Sequence, residues 1–451
     1  MRLRLILPLL ALFLSAPGGA ALAQGEGARS ESGLRLSGQA RARYESLDGQ
    51  FRAGFEGSDQ VLLLRTLIAL EADAGRATFG LELQDSRAYL DDAGTPISNS
   101  FVNALGVLQA YVETPAPNAF AESREASVTL GRQTIEIGSG RQIERVNYAN
   151  VIKSFTGLCY HARSAGGDTL DLFAVVPIAR HPGDREAVAD NRIEADEEQW
   201  GRLIWGAHLI GRDIAPSVTP GLTGELFAYW LHERDTDAHP TPDRDYVTPG
   251  LRLRRAPEPG RADFEIEAAV RVGQRRATSA PTDTRDLDVF AGMVFAALGY
   301  TFDAPWRPRL ALEYYYASGD EYPNDDRFDQ YERLFGSRRG DLNNTSLHGP
   351  LTPANLNTPG VRLQIRPSEA IDARLKYGAA FLASDTDAWV VAGLRDPSGA
   401  SGDFLGHALD GRIRWRALDG LTLEAGASLF DYGEFAKTVS GGPQAERAAL
   451  G

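Results

Sequence analysis

From Leu34 to Glu45 the chain reads LRLSGQARARYE. This sets Leu34, Leu36, Gly38, Ala40, Ala42 and Tyr44 on one side and Arg35, Ser37, Gln39, Arg41, Arg43 and Glu45 on the other. A repeat of two residues means a strand, because successive side chains leave opposite faces of a pleated backbone. The alternation recurs with Phe79, Leu81 and Leu83 against Gly80, Glu82 and Gln84, and with Phe264, Ile266, Ala268, Val270 and Val272 against Glu265, Glu267 and Arg271. Toward the C-terminus Val361, Leu363 and Ile365 oppose Arg362, Gln364 and Arg366. Leu405, Leu409, Ile413 and Trp415 oppose Asp410, Arg412 and Arg414, and Leu421, Leu423 and Leu429 oppose Thr422, Glu424 and Ser428. The pattern predicts seventeen strands, the last from about Leu421 to Asp431, with no helical domain and no low-complexity linker.

A soluble sandwich alternates too, so the connections have to separate the two architectures. Links after even-numbered strands are mostly short: Ala74-Gly75, Ser164 to Asp168, Ala256 to Arg261, Asp303 to Trp306, Pro367-Ser368 and Leu418 to Gly420. Links after odd-numbered strands are long and polar, as in Leu47 to Asp59, Ile137 to Asn150, Ala179 to Glu198, Ser318 to Ala354 and Ser384 to Gly402. Only Thr114 to Arg124 and Arg212 to Pro220 break the short set. A sandwich has no reason to keep loop length in phase with strand parity, whereas an outer-membrane barrel has short periplasmic turns and long extracellular loops. The expected fold class is therefore all-β, a transmembrane antiparallel β-barrel. An odd strand count is unusual for such barrels. After Lys437 the chain reads TVSGGPQAERAALG, without alternation or a terminal aromatic residue. Either the last strand is irregular or the chain stops before it. A missing strand would leave an unpaired edge at a cost of several kcal/mol per unsatisfied group in lipid.

The N-terminus agrees with export. Arg2 and Arg4 precede an apolar run from Leu3 to Ala16 and small residues ending in Ala21-Leu22-Ala23, the three regions of a cleavable signal peptide. The apolar run is shorter than the ~20 residues a spanning helix needs. Residues 1–23 are thus expected to be removed and residues 24–451 to form the barrel, with the net charge moving from −14 to −16 because two arginines leave and no acid does. That acidity argues against a nucleic-acid partner. The single cysteine, Cys159, cannot form an internal disulfide and reads as a strand residue.

Only Lys153, Lys376 and Lys437 are lysines; every other basic residue, histidine aside, is arginine. Alternation aims Arg35, Arg41, Arg43, Arg65, Arg132, Arg252, Arg254, Arg271, Arg362, Arg366, Arg374, Lys376, Arg412 and Arg414 into the lumen. The last six lie on consecutive strands and should form one wall patch. Interspersed acids, including Glu82, Glu265, Glu267, Asp372, Asp410 and Glu424, could turn these cations into a salt-bridge lattice filling the barrel. The alternative is a ladder of guanidinium forks that passes a carboxylate-bearing polymer, since planar forks match carboxylates bidentately and arginine rings select anions in pores. A long loop, Ser318 to Ser346, gathers Asp320, Glu321, Asp325, Asp326 and Asp329. Calcium is the one ion such acids suggest, but the spacing matches no EF-hand, and a solvated loop is the preferred reading. The Arg339-Gly340-Asp341 triplet is given no adhesive meaning. His161, His208, His232 and His407 lack metal-ligand spacing, and no nucleophile elbow or zinc-protease motif occurs, so no enzyme is expected and no cofactor is implied.

The stretches YYYASGDEYPNDDRFDQYERLFGSRRGD, TSLHGPLTPANLNTPGVRLQIRPS and FLASDTDAWVVAGLRDPSGASGDFLGHALDGRIRW, in the last third of the chain, resemble the alginate export family of outer-membrane barrels. The resemblance implies an 18-stranded barrel in the bacterial outer membrane, with an arginine-lined constriction through which anionic alginate leaves the cell. Arg412 and Arg414 in GRIRW resemble members of that constriction. Arg338 and Arg339 in SRRGD are candidates for a loop folding over or into the pore. The partners implied are an anionic polysaccharide or oligouronate and outer-membrane lipid. No nucleotide motif is present, so the driving force must come from elsewhere, for which a periplasmic export scaffold is considered. A general anion-selective porin for small carboxylates and a plugged structural barrel are the alternative readings.

Overall fold

The computed structural model describes residues 33–55, 57–92, 94–120, 125–236, 239–343 and 346–443; the expected signal segment lies outside them. In chain order the strands are β1 (Leu34–Asp48), β2 (Ser58–Ala74), β3 (Ala77–Tyr89), β4 (Asn103–Pro115), β5 (Glu125–Gln133), β6 (Phe155–Arg163) and β7 (Thr169–Ala179). There follow β8 (Glu197–Glu198), β9 (Arg202–Gly211), β10 (Leu222–Glu233), β11 (Asp245–Arg255), β12 (Arg261–Arg276), β13 (Asp286–Thr301) and β14 (Arg309–Ala317). The last are β15 (Arg327–Phe328), β16 (Leu356–Ser368), β17 (Ile371–Phe381), β18 (Phe404–Leu418) and β19 (Leu421–Tyr432). Among the described residues seventeen strands have nine residues or more, while β8 and β15 have two and sit inside long connections. Each long strand pairs antiparallel with the next, from β1–β2 to β18–β19. The seventeen strands read from alternation are these.

The sheet is inside out for a water-soluble protein. Leu36, Ile68, Leu81, Leu298, Leu312 and Ile413 are exposed, while Arg43, Arg65, Glu82, Glu267, Arg271 and Asp410, on the opposite face of the pleat, are buried. Apolar-out, polar-in alternation is what a strand needs when lipid lies outside. Exposed Phe79, Tyr300, Phe302, Trp306 and Trp415 cluster at the short-turn ends of their strands, where an aromatic girdle meets the membrane interface. Among the described residues no helix is long and apolar enough to cross a membrane; crossing is left to the strands.

The long connections do not stand out in solvent. Leu47, Val61 and Leu63 on the inner face of β1 and β2 share a buried cluster with Phe51, Trp389, Phe430 and Phe435. Trp389 stacks on Phe51 at 5.8 Å and meets Phe430 at 5.9 Å. The long loops thus fold back over the barrel's outer mouth.

One local expectation is corrected: alternation puts Leu405 with Leu409 on the lipid face, but Leu405 is 1% exposed against 39% for Leu409. A register shift between Ala380 and Phe381, with Gly406 at φ +145°, moves Leu405 to the core side. After β19 residues Glu434–Thr438 form a short helix whose Phe435 and Ala436 are fully buried, and the described part of the non-alternating stretch that begins at Thr438 adds no strand. Residues 444–451 lie outside the described residues.

Candidate functional site

Two loops enter the barrel and meet. The connection 134–154, between β5 and β6, and the connection 318–355, between β14 and β16, run side by side. Phe335 N–H donates to Gln142 O at 2.8 Å and Ser337 N–H to Gly140 O at 3.0 Å, flanking a bridge between Ile143 and Phe335. Gly336 is required there, because a Cβ on it would lie 1.9 Å from Arg141 O. Arg141 locks the joint. Its guanidinium takes Asp341 at 2.8 and 3.0 Å and both Glu265 and Glu267 of β12 at 2.6 Å, and it stacks over the Phe295 ring at 3.8 Å.

On the wall beside the first loop, Arg41 and Arg65 stand directly opposite each other across the β1–β2 ladder. Among the described residues neither is matched by a carboxylate. Arg41 donates to Asn147 O at 3.0 Å, Ala149 O at 2.9 Å and Asn150 Oδ1 at 3.3 Å. Arg65 donates to Asn147 O at 2.9 Å, Ala149 O at 2.7 Å and Gln39 Oε1 at 2.7 Å. Peptide and side-chain amide oxygens take the terminal N–H groups without cancelling the charge, and the buried Nε of each guanidinium has no partner among the described residues. Above them Arg43 pairs with Glu45 at 2.6 Å, and Arg145 with Glu82 at 2.6 Å. This sector therefore holds the four cations Arg41, Arg43, Arg65 and Arg145 against the two acids Glu45 and Glu82. Tyr148 connects it to the second loop, with Arg43 4.2 Å and Arg339 3.5 Å from its ring centroid.

The second sector lies on β16, β17 and β18. Arg362 is directly opposite Lys376, and Arg374 directly opposite Arg412. Glu313 takes Arg362 and Lys376, each at 2.9 Å. Asp410 takes Arg374 at 3.4 Å, Asp372 takes Arg412 at 3.5 Å, and Glu424 takes Arg414 at 2.7 Å as well as Arg339 from the loop. Arg362 and Lys376 also donate to the backbone of Gly340 and Asp341, fastening the loop to the wall. Six cations, Arg339 included, face four carboxylates here.

The remaining expected residues lie elsewhere. Arg132 is corrected: it shares its face with Leu130, 54% exposed, and stands opposite exposed Ala110. It is therefore on the outer side of the wall, where it bonds Glu198 at 2.7 Å and Val107 O at 3.1 Å. Arg338 does enter with its loop, but it is spent inside it, donating to Gly349 O at 3.2 Å and to Leu351 O. Arg366 is exposed near the short-turn end of β16, where the register shifts between Ile365 and Ser368. The acids of the 318–346 stretch do not converge; among the described residues no group of three or more His, Cys, Asp or Glu is placed to hold a metal. The Arg339-Gly340-Asp341 string points inward, both charged members being ion-paired. Arg141, Arg145, Tyr148 and Glu313 were not anticipated. For Arg145 and Tyr148 the signal was the run QIERVNYANVI, too apolar at Ile143, Val146, Val151 and Ile152 for a loop bathed in water.

Solved structures similar to this one are outer-membrane porins. A BenF-like porin from Pseudomonas fluorescens Pf-5 superposes with a TM-score of 0.56 at 10% identity, covering 88% of this chain and 94% of that one. Pseudomonas aeruginosa OccK2 (OpdF), crystallised with glucuronate, gives 0.54 at 14% identity, covering 90% and 94%. OprD from Pseudomonas aeruginosa gives 0.52 at 11%, covering 93% and 91%. At these identities the likeness speaks for the barrel fold. A comparison with curated proteins finds no match. The family model described as alginate export matches residues 33–449. The chain, an outer-membrane β-barrel channel, belongs to the alginate export family.

Proposed function

We propose that this channel passes an anionic polysaccharide of the polyuronate type, alginate-like, or its oligomers, along the two cationic wall sectors. The observation that carries this reading is the set of like-charged pairs facing each other across antiparallel ladders: Arg41 with Arg65, Arg362 with Lys376, and Arg374 with Arg412. Like charges directly opposite destabilise a sheet, so a wall built only for strength would alternate signs. Local rules are broken in this way at functional sites. A passing carboxylate relieves the repulsion, and the surplus of cations over acids in both sectors gives it something to exchange with. Arg41 and Arg65 bond only neutral acceptors among the described residues, which disfavours a fully neutralised, plugged barrel.

A second reading, a porin for small carboxylates, is favoured by the glucuronate in the OccK2 structure. Planar-bilayer recording separates the two. Under the first, an oligomannuronate of several residues blocks the current at concentrations where monomeric uronate and a neutral maltooligosaccharide do not. Equal block by monomer and oligomer supports the second. An unblocked current refutes both. The chain carries no nucleotide motif, so directed export would draw on a periplasmic scaffold.

A further inference from the structure

At the outer-loop end of β6 and β7 a cavity of about 430 Å³ opens between the connections 134–154 and 180–201, away from the wall sectors. That volume falls in the range of small-molecule sites, about 300–1,000 Å³. Lys153 and Arg180 line it, and among the described residues neither cationic group is hydrogen-bonded or ion-paired. Nearby acids are engaged elsewhere. Asp196 accepts from Asn103 at 2.7 Å and from His181 N–H at 2.9 Å, and Glu233 holds Arg202 at 2.5 Å and Arg244 at 2.7 Å. The Phe335 ring lies 5.3 Å from Lys153 Nζ and packs edge-on against Phe155 at 5.2 Å. Two cations without an ion pair, of which Arg180 feels the Asp196 carboxylate only at a distance, stand beside an aromatic face and make a polar-and-apolar pair of walls. Burial without a counter-charge is unfavourable: it pushes the Lys153 ammonium well below its ordinary value, and Arg333 and Arg180 push the same way.

We propose that this side cavity is a subsite for one carboxylate-bearing sugar residue, with Lys153 and Arg180 holding the carboxylate and Phe335 covering an apolar face of the ring. The proposal rests on the cargo being an anionic saccharide and adds a place, at the mouth, where a single residue of it docks. The cations supply the charge-assisted hydrogen bonds. Ser154 and Asn99, also lining the cavity, stand where ring hydroxyls would be met.

The test is block of the full-length channel by trimannuronate in planar bilayers, comparing wild type with Lys153→Gln/Arg180→Gln and with the charge-preserving Lys153→Arg/Arg180→Lys. Loss of two charged hydrogen-bonding partners should raise the half-blocking concentration by on the order of tenfold or more, and the charge-preserving variant should stay within about threefold of wild type. Arg180→Gln alone, expected to fall between, serves where the double variant does not migrate as a folded barrel. If wild type is blocked and the glutamine variants are blocked at the same concentration, the subsite is overturned while the channel reading stands. If wild type is not blocked at all, both fall.

Discussion

Replacing Arg141 with methionine keeps an apolar stem over Phe295 and removes the guanidinium that ties Asp341 to Glu265 and Glu267. Glu265 retains Arg252 at 3.0 Å, but Asp341 has no other ion pair among the described residues. Deleting one partner of a buried ion pair costs about 3–5 kcal/mol. The two inserted loops are still joined by the backbone bonds at 2.8 and 3.0 Å, by Tyr331 Oη donating to Gln142 Oε1 at 2.8 Å and by Arg339 over the Tyr148 ring at 3.5 Å. The hydrogen bonds contribute about 1 kcal/mol each, so the joint is weakened rather than abolished. At about 1.4 kcal/mol per factor of ten, the ratio of joined to separated loops should fall by roughly two to three and a half powers of ten. Single-channel recordings of Arg141→Met should show a larger and noisier conductance, and trypsin added from the loop side should cut after Arg338 or Arg339 in a barrel that stays folded. Wild-type conductance together with wild-type resistance to trypsin would refute the idea that this joint sets the aperture.

Leu312, 63% exposed on the outer face of β14, meets lipid; Leu312→Arg should weaken insertion into vesicles by about 2–4 kcal/mol if it lies near the midplane, measured by urea-dependent folding, and no change would contradict the facing. Asp320 in the outer loop has its carboxyl raised to about 6 from 3.8 by burial, with Asp387 adding to the effect. Because the folded form prefers the proton, this loop's packing is most favourable below about pH 4 and weakens as pH rises through 6. Asp320→Asn should remove that dependence, read as the ratio of variant to wild-type hydrogen exchange between pH 4 and 8. Arg132→Gln should leave ion selectivity untouched while loosening the connection 180–201, since its partner is Glu198 outside the lumen; altered selectivity would return Arg132 to the pore.

Much of this architecture was legible because it follows from local chemistry. Period-two alternation states which face meets lipid, and loop parity states which end is outside, so all seventeen long strands could be read without contacts. Arg132 was readable too: Val128 and Leu130 already place the even positions of that strand outward. Leu405 was not, because a bulge at Gly406 is a property of two strands together. The wall patch from Arg362 to Arg414 was expected as a group, but its face-to-face pairing needs register, which alternation alone leaves open by multiples of two. Arg366 falls out for the same reason, at a register shift. The inserted loops were the largest omission. Arg141 reaches Asp341 two hundred residues away in sequence, a meeting decided by tertiary packing, although the apolar run around Ile143 hinted that its loop seeks cover.

If opposed cations on the inner wall make the path anion-selective, the reversal potential across a KCl gradient should differ between wild type and Arg374→Glu/Arg412→Glu, which turns one like-charged cation pair into two acids beside Asp410 and Asp372. Wild type should reverse toward the chloride potential and the variant toward that of potassium. The same reversal potential in both, or a wild type that prefers potassium, would contradict this role for the opposed cations.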